Sequence, residues 1–193
     1  HTFNSDANFV VSSLANESAD NVVDYLVVAG GGGSGSTNRT GGGGGGGVRA
    51  SAGTSTGCYT AGPLASGVAG ITVTASTYPI TVGAGGAARS FTPEVQGTAL
   101  QGNDGANSVF STITSAGGGG GGTVTNPGGA PTMNGKPGGS GGGGAAGNGT
   151  YGVGGTGNTP PVSPPQGNNG GAGVTPSNNY AGGGGGATNA GSA

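Results

Sequence analysis

A single imidazole, His1, a single thiol, Cys58, and six carboxylates, Asp6, Glu17, Asp20, Asp24, Glu94 and Asp104, are the groups on which acid-base or nucleophilic chemistry would draw. Acyl-transfer sites built on Ser or Cys need a histidine base placed by the fold, and the only histidine stands at position 1. A copper brace at a terminal His needs a second His, which the sequence lacks. One cysteine excludes an internal disulfide and a four-cysteine zinc site, so Cys58 reads as a small apolar side chain or as half of an intermolecular bridge. Paired carboxylates of the glycosidase type can be drawn from the six acids, but four of them fall within the first 24 residues with no Lys or Arg among them. That is the composition of a solvated acidic face. Lys136 follows Gly135 but precedes Pro137, where a phosphate loop requires Ser or Thr. Asn103-Asp104-Gly105 reads as a turn before it reads as a calcium contact. The residues describe a chain that is not an enzyme, with no catalytic residue, no cofactor and no metal site.

The elements that would carry any site are unusual. Of 193 residues, 54 are Gly and 11 are Pro, while only 27 are Val, Ile, Leu or Phe and none is Trp. So few large apolar side chains cannot supply the main stabilisation of a chain this long, given the entropy cost of ordering so much glycine. With four basic residues and a net charge of −2, the chain lacks the electrostatic footprint of a nucleic-acid binder. The longest apolar stretch, Val22 to Ala29, is broken by Asp24 and is far too short to span a bilayer. The chain begins at His1 without a basic and apolar leader, which reads as removal of a signal or pro-segment and hence as an exported, extracellular protein. Three sequons, at Asn16, Asn38 and Asn148, are candidate glycosylation sites. The stretch Thr159 to Pro165 reads as a stiff extended spacer or a carrier of O-linked sugar.

Period-two alternation marks the strands. Phe3, Ser5, Ala7, Phe9 and Val11 share one face of an arm, residues 1–21, and Val22 to Ala29 forms a second strand. Val68–Thr74 and Tyr78–Gly83 read as a hairpin, and Ser108–Ser115 as the last strand. Asn16 to Asp20 can form one helical turn; no other stretch has helical spacing with caps. Five glycine blocks, Gly30–Gly33, Gly41–Gly47, Gly117–Gly122, Gly141–Gly144 and Gly182–Gly186, recur between and after the strands. Polyproline II geometry takes three residues per turn and about 3.1 Å per residue, with no internal hydrogen bonds, so the longest block would reach about 22 Å. Its amides must then be paired by neighbours, which chains without Cβ atoms can approach closely enough to do. The expected fold is all-β with bundled polyglycine II helices and little or no α-helix: an arm over 1–21 and a glycine-rich β/polyglycine II domain over 22–193. Disorder of the last third, a flexible spacer, is the competing expectation from its Gly and Pro content.

Four phrases, Val23-Asp-Tyr-Leu-Val-Val-Ala-Gly-Gly-Gly-Gly33, Tyr78-Pro-Ile-Thr-Val-Gly-Ala-Gly-Gly86, Asn107-Ser-Val-Phe-Ser-Thr-Ile-Thr-Ser-Ala-Gly117 and Pro137-Gly-Gly-Ser-Gly-Gly-Gly-Gly144, occur in this order. In this the chain, over about residues 22–193, resembles the glycine-rich domains of phage tail-fibre proteins and related bacterial surface proteins. The resemblance implies a fibre on a cell or virion surface, with bundled polyglycine II helices carrying variable loops. Tail-fibre versions sit behind a long shaft, whereas this domain follows only a short arm, which suits a filament protomer. The leading expectation is therefore a structural subunit of an extracellular, self-assembling filament whose partner is its own copies, linked head to tail by the arm. Phe3, Phe9 and Val11 would anchor that donor strand in a neighbouring sheet. The arm pairing within its own sheet is the alternative. The other function is a receptor-binding tip of a phage fibre that meets a cell-surface receptor or glycan through Tyr151, Tyr180, Asn178, Asn179 and the loop from Asn158 to Gly167. Neither needs a nucleic acid or a membrane span.

Overall fold

The computed structural model describes residues 1–193 apart from 37–38, 54–66, 91–99, 125–129, 148 and 175–179. Its strands are short: β1 (Ala7–Val10), β2 (Val22–Val23), β3 (Leu26–Val28), β4 (Val48–Ala50), β5 (Ile71–Thr72), β6 (Thr77–Thr81), β7 (Ser108–Phe110), β8 (Ile113–Ser115), β9 (Ala146–Gly147) and β10 (Thr150–Tyr151). One four-stranded antiparallel sheet runs in the order β1-β6-β7-β8, and the ladders β2–β5, β3–β4 and β9–β10 are two-stranded. Helical structure amounts to one α-turn, α1 (Ala130–Met133), and one 3-10 turn over Ser18–Asp20 among the described residues. The fold is all-β with bundled glycine helices, as the sequence predicts.

Side chains hold the sheet region together. Tyr25, Val27 and Phe110 are buried at its centre, with Phe9, Val23, Ile71, Tyr78, Ile80 and Ile113 packed against them. Phe110 meets Phe9 and Tyr78 edge-on at ring-centroid distances of 6.0 and 6.2 Å, a geometry worth about 1 kcal/mol per pair beyond burial. β3 packs on β7 and β8, and β4 on β8, so the β3–β4 ladder forms a partial second layer.

Three expectations are corrected by the structure, the first being Val22–Ala29 as one strand: it is two, β2 and β3, which pair with β5 and β4 in separate ladders. Val68–Thr74 and Tyr78–Gly83 do not form a hairpin: β5 pairs with β2, while β6 lies between β1 and β7. Alternation reports which face is buried, not which strand is the neighbour. Ser108–Ser115 is two strands joined at Ser111, whose φ of 53° turns the chain back, so β7 and β8 pair with each other. β4, with one Val beside Arg49, carries too little alternation to be read in advance and forms because β3 offers it an edge.

Beyond the sheet the glycine tracts run side by side and bond one another with a three-residue repeat. Over 116–122, the N–H groups of Gly118 and Gly121 donate to Gly30 and Gly33, those of Gly119 and Gly122 to Ser140 and Gly143, and the carbonyls of Ala116, Gly119 and Gly122 accept from Gly47, Gly44 and Gly41. The carbonyls of Gly118 and Gly121 accept from Gly105 and Gly102, and those of Gly117 and Gly120 from Gly139 and Lys136. A donor row and an acceptor row recurring every third residue is the signature of a three-fold, left-handed glycine helix that is bonded only outward. The tract 140–145 is surrounded in the same way, by chain from 42–45, 119–122, 133–136, 152–155, 168–171 and 182–185. Residues 114–193, the stretch for which disorder competes, supply much of this lattice, and many of their described backbone groups are bonded in it.

The absence of Cβ atoms is a condition of the packing. A Cβ on Gly121 would collide with the carbonyl of Gly41, and one on Gly43 with that of Gly32. A Cβ on Gly45 would lie 3.5 Å from its nearest neighbour, because that residue faces outward.

Candidate functional site

Five tracts enter or leave the sheet region directly: β3 leads into 29–36, 41–47 leads into β4, β6 into 83–90, 101–107 into β7, and β8 into 116–123. The molecule thus has a sheet end and, about 19 Å along the tract 116–122 at the polyproline II rise, a far end.

At the sheet end the arm is placed within its own chain. β1 pairs antiparallel with β6, Phe9 opposite Tyr78, and Val11 donates its N–H to Ser76. The Oδ1 of Asp6 accepts the N–H of Val82 at 2.8 Å and fixes the register. Phe9 sits against Phe110 and Tyr78, while Phe3 stacks on the His1 ring at 6.4 Å. Of the two placements open to the arm, the single chain adopts pairing in its own sheet, with Phe3 and Val11 half-buried and Val10 61% exposed. Residues 12–18, which join β1 to the body, are exposed, Asn16 among them.

Beside the arm opens a cleft of about 610 Å³, lined by His1, Phe3, Phe9 and Asp24, by β3, and by the ends of β6 and β7. Leu26 and Val28 present exposed side chains there and stand opposite Ala50 and Val48 of β4. The hydrogen bonds from Ser51 to Tyr25 and from Ala29 to Gly47 set the antiparallel alternation so that the amides and carbonyls of Leu26 and Val28 point away from β4. Among the described residues the outward N–H and C=O groups of Leu26 and Val28 therefore have no partner. This is an apolar cleft beside an open strand edge. Next to it, the hydroxyl and N–H of Thr74 bond the Tyr78 phenol oxygen and hold its pKa below the ordinary tyrosine value.

At the far end, Tyr151 and Tyr180 are each 58% exposed, Tyr180 in a bridge with Val174. Tyr151 stands opposite Ala146, whose N–H donates to the Arg39 carbonyl. Asn38, Asn148, Asn178 and Asn179, with Cys58 and Glu94, lie outside the described residues. The loop from Asn158 to Gly167 is held from within and exposes Pro160, Pro161, Ser163 and Pro165. Asn158 Oδ1 accepts from Val162 and Gln166, and the buried Gln166 spends its Oε1 on the Ala116 N–H and its Nε2 on the Pro160 carbonyl.

Asp6, Asp24 and Asp104 serve the sheet and the lattice. Asp104 is not in a turn: it lies in the extended tract 101–107 and its Oδ1 accepts the Gly120 N–H at 2.9 Å, while Asn107 Oδ1 accepts that of Gly117 at 2.9 Å. Side-chain oxygens three residues apart thus close a row that has no further glycine helix to bond. Lys136 adds an ion pair to Asp104 at 3.6 Å. The spacing Asp104–Asn107 against Gly117–Gly120 is visible in the sequence and was the signal for this role. Asp24 accepts from Ser51 Oγ. Among the described residues, no three His, Cys, Asp or Glu side chains gather into a metal-binding group, and no helix is long and apolar enough to cross a membrane.

A family model described as a glycine-rich domain matches residues 9–193, which takes in β1 and everything after it. No curated protein and no solved structure matches the chain.

Proposed function

We propose that this chain, which belongs to the glycine-rich domain family, is a structural subunit of an extracellular self-assembling filament, linked head to tail by its arm. The observation that carries this reading is the state of β1: it is an edge strand, its one partner is β6, and an exposed tether joins it to the body. An arm so held can leave its own sheet and supply the same contacts to a neighbour, since exchange between identical chains preserves each of them. The run from Val11 to Val22 reaches at most about 36 Å when extended, enough to pass along a neighbouring glycine bundle of about 22 Å. Phe9 is the main anchor and Phe3 and Val11 flank it. Asn16, exposed on the tether, is the described sequon that a glycan would reach.

Electron microscopy of the purified chain tests this. Filaments of indefinite length are expected, and deletion of residues 1–12 stops their growth while the glycine bundle stays folded. Unimpaired growth of the deleted form rejects the arm as linker. A second reading, the receptor-binding tip of a phage tail fibre, draws on the exposed Tyr151 and Tyr180 at the far end; discrete particles that bind cells, with binding lost in Tyr151→Ala, would favour it.

A further inference from the structure

The two ends of the subunit differ in charge: among the described residues Asp6, Glu17, Asp20 and Asp24 outnumber the one base, Arg49 on β4, at the sheet end, and arginines stand at the other. At the sheet end, Asp24 lines the apolar cleft, and Glu17 and Asp20 stand exposed just before it in the chain. At the far end, Arg39 is tied next to Tyr151 through Ala146, and the Arg89 N–H bonds the Ser34 carbonyl, which places Arg89 where the tract 29–36 runs out. Both arginines are exposed, and among the described residues neither pairs with a carboxylate. Tyr151, Val153 and Tyr180 are each more than half exposed.

We infer that the far end of a second copy docks on the sheet end, seating its Thr150–Val153 ridge in the cleft, with Arg39 and Arg89 facing Glu17, Asp20 and Asp24. The inference rests on the filament reading and names a second contact of that assembly. Size supports it. Tyr151 and Val153, two residues apart on one face of the chain with the buried Gly152 between them, are both exposed, and a cleft of about 610 Å³ has room for their two side chains. Leu26 and Val28 on β3 give the two side chains an apolar wall to meet, while the amides and carbonyls of Gly152 and Val153 stay bonded within their own subunit to Ala145, Gly173, Asn134 and Gly135. Charge supports it too: an apolar centre rimmed by opposite charges is the usual anatomy of a specific contact, in which the charges set orientation and encounter rate. Because the two faces are different patches at opposite ends, the contact is heterologous and repeats without closing, which generates a fibre.

The test is charge reversal in both faces of the full chain, read as the concentration at which filaments appear. Glu17→Lys with Asp20→Lys, and separately Arg39→Glu with Arg89→Glu, should each raise that threshold about tenfold or more. All four changes combined should return it to within about threefold, because the attraction is restored with its sign exchanged. All four residues are exposed, so melting curves should match the parent, and Arg89→Glu alone provides a milder version. Unchanged thresholds, or two weakened variants that do not recover in combination, overturn the docking and leave the arm-linked filament standing. A chain that stays monomeric at every concentration overturns both.

Discussion

Around Phe110, stability comes from side chains: three aromatic rings meet edge to face, and Tyr25 and Val27 close over them. Around Gly121, no side chain is involved: its N–H bonds Gly33, its carbonyl accepts from Gly102, and the Gly41 carbonyl presses on the hydrogen where a Cβ would be. The first region tolerates local repacking at a graded cost, because an apolar contact has no required direction. The second is a crystal-like array in which each residue fixes several neighbours, so an added methyl displaces several hydrogen bonds at once. Directional bonding makes the lattice exacting where it is filled and indifferent where it faces water.

The comparison can be broken most decisively at its centre. Gly121→Val should abolish cooperative unfolding of the bundle, a loss of more than about 4 kcal/mol, since overpacking and several orphaned amides add; denaturant melts followed by circular dichroism would show it. Phe110→Ala should cost about 3 kcal/mol through the cavity it leaves in the sheet core, and hydrogen exchange should show amides of the tract 116–122 staying protected while those of β6 and β7 loosen. Asp104→Ala strips the Gly120 N–H of its acceptor and should cost about 1.5 kcal/mol. Asp104→Asn, which keeps an oxygen there, should recover most of it, the half-exposed ion pair to Lys136 contributing little. Gly45→Ala sits at the other extreme: its Cβ has room and its φ is not left-handed, so the melting point should stay level or rise by the equivalent of about 0.5 kcal/mol as the unfolded chain stiffens. Equal damage from Gly121→Val and Gly45→Ala would deny that the lattice distinguishes filled from open directions.

Much of this was legible beforehand. Recurring glycine blocks with hardly any charge implied bundled three-fold helices, because runs without Cβ atoms pack closely and must then pair their amides with one another. The alternation through Phe9 marked β1 and its buried face. The pairing of β5 with β2, the fold-back at Ser111 and the existence of β4 were not legible, since each depends on which edge lies nearby. Of the candidate residues, Tyr151 and Tyr180 are exposed as expected, and the Asn158–Gly167 loop is tied down by Asn158 and Gln166. The structural use of Asp104 and Asn107 was written in a three-residue spacing but looked like a turn.

The amino-acid sequence by itself determined the material of this protein: backbone amides as the main adhesive, a small aromatic cluster, and acids concentrated in the first 24 residues. Tertiary structure alone decided which tract faces which, that the arm lies on β6, and that Asp24 falls at the sheet end while Arg39 and Arg89 fall at the other. The reason is physical. A glycine tract carries no side-chain label to select its neighbour, so partner choice is left to the directions in which the few strands and turns deliver the chain.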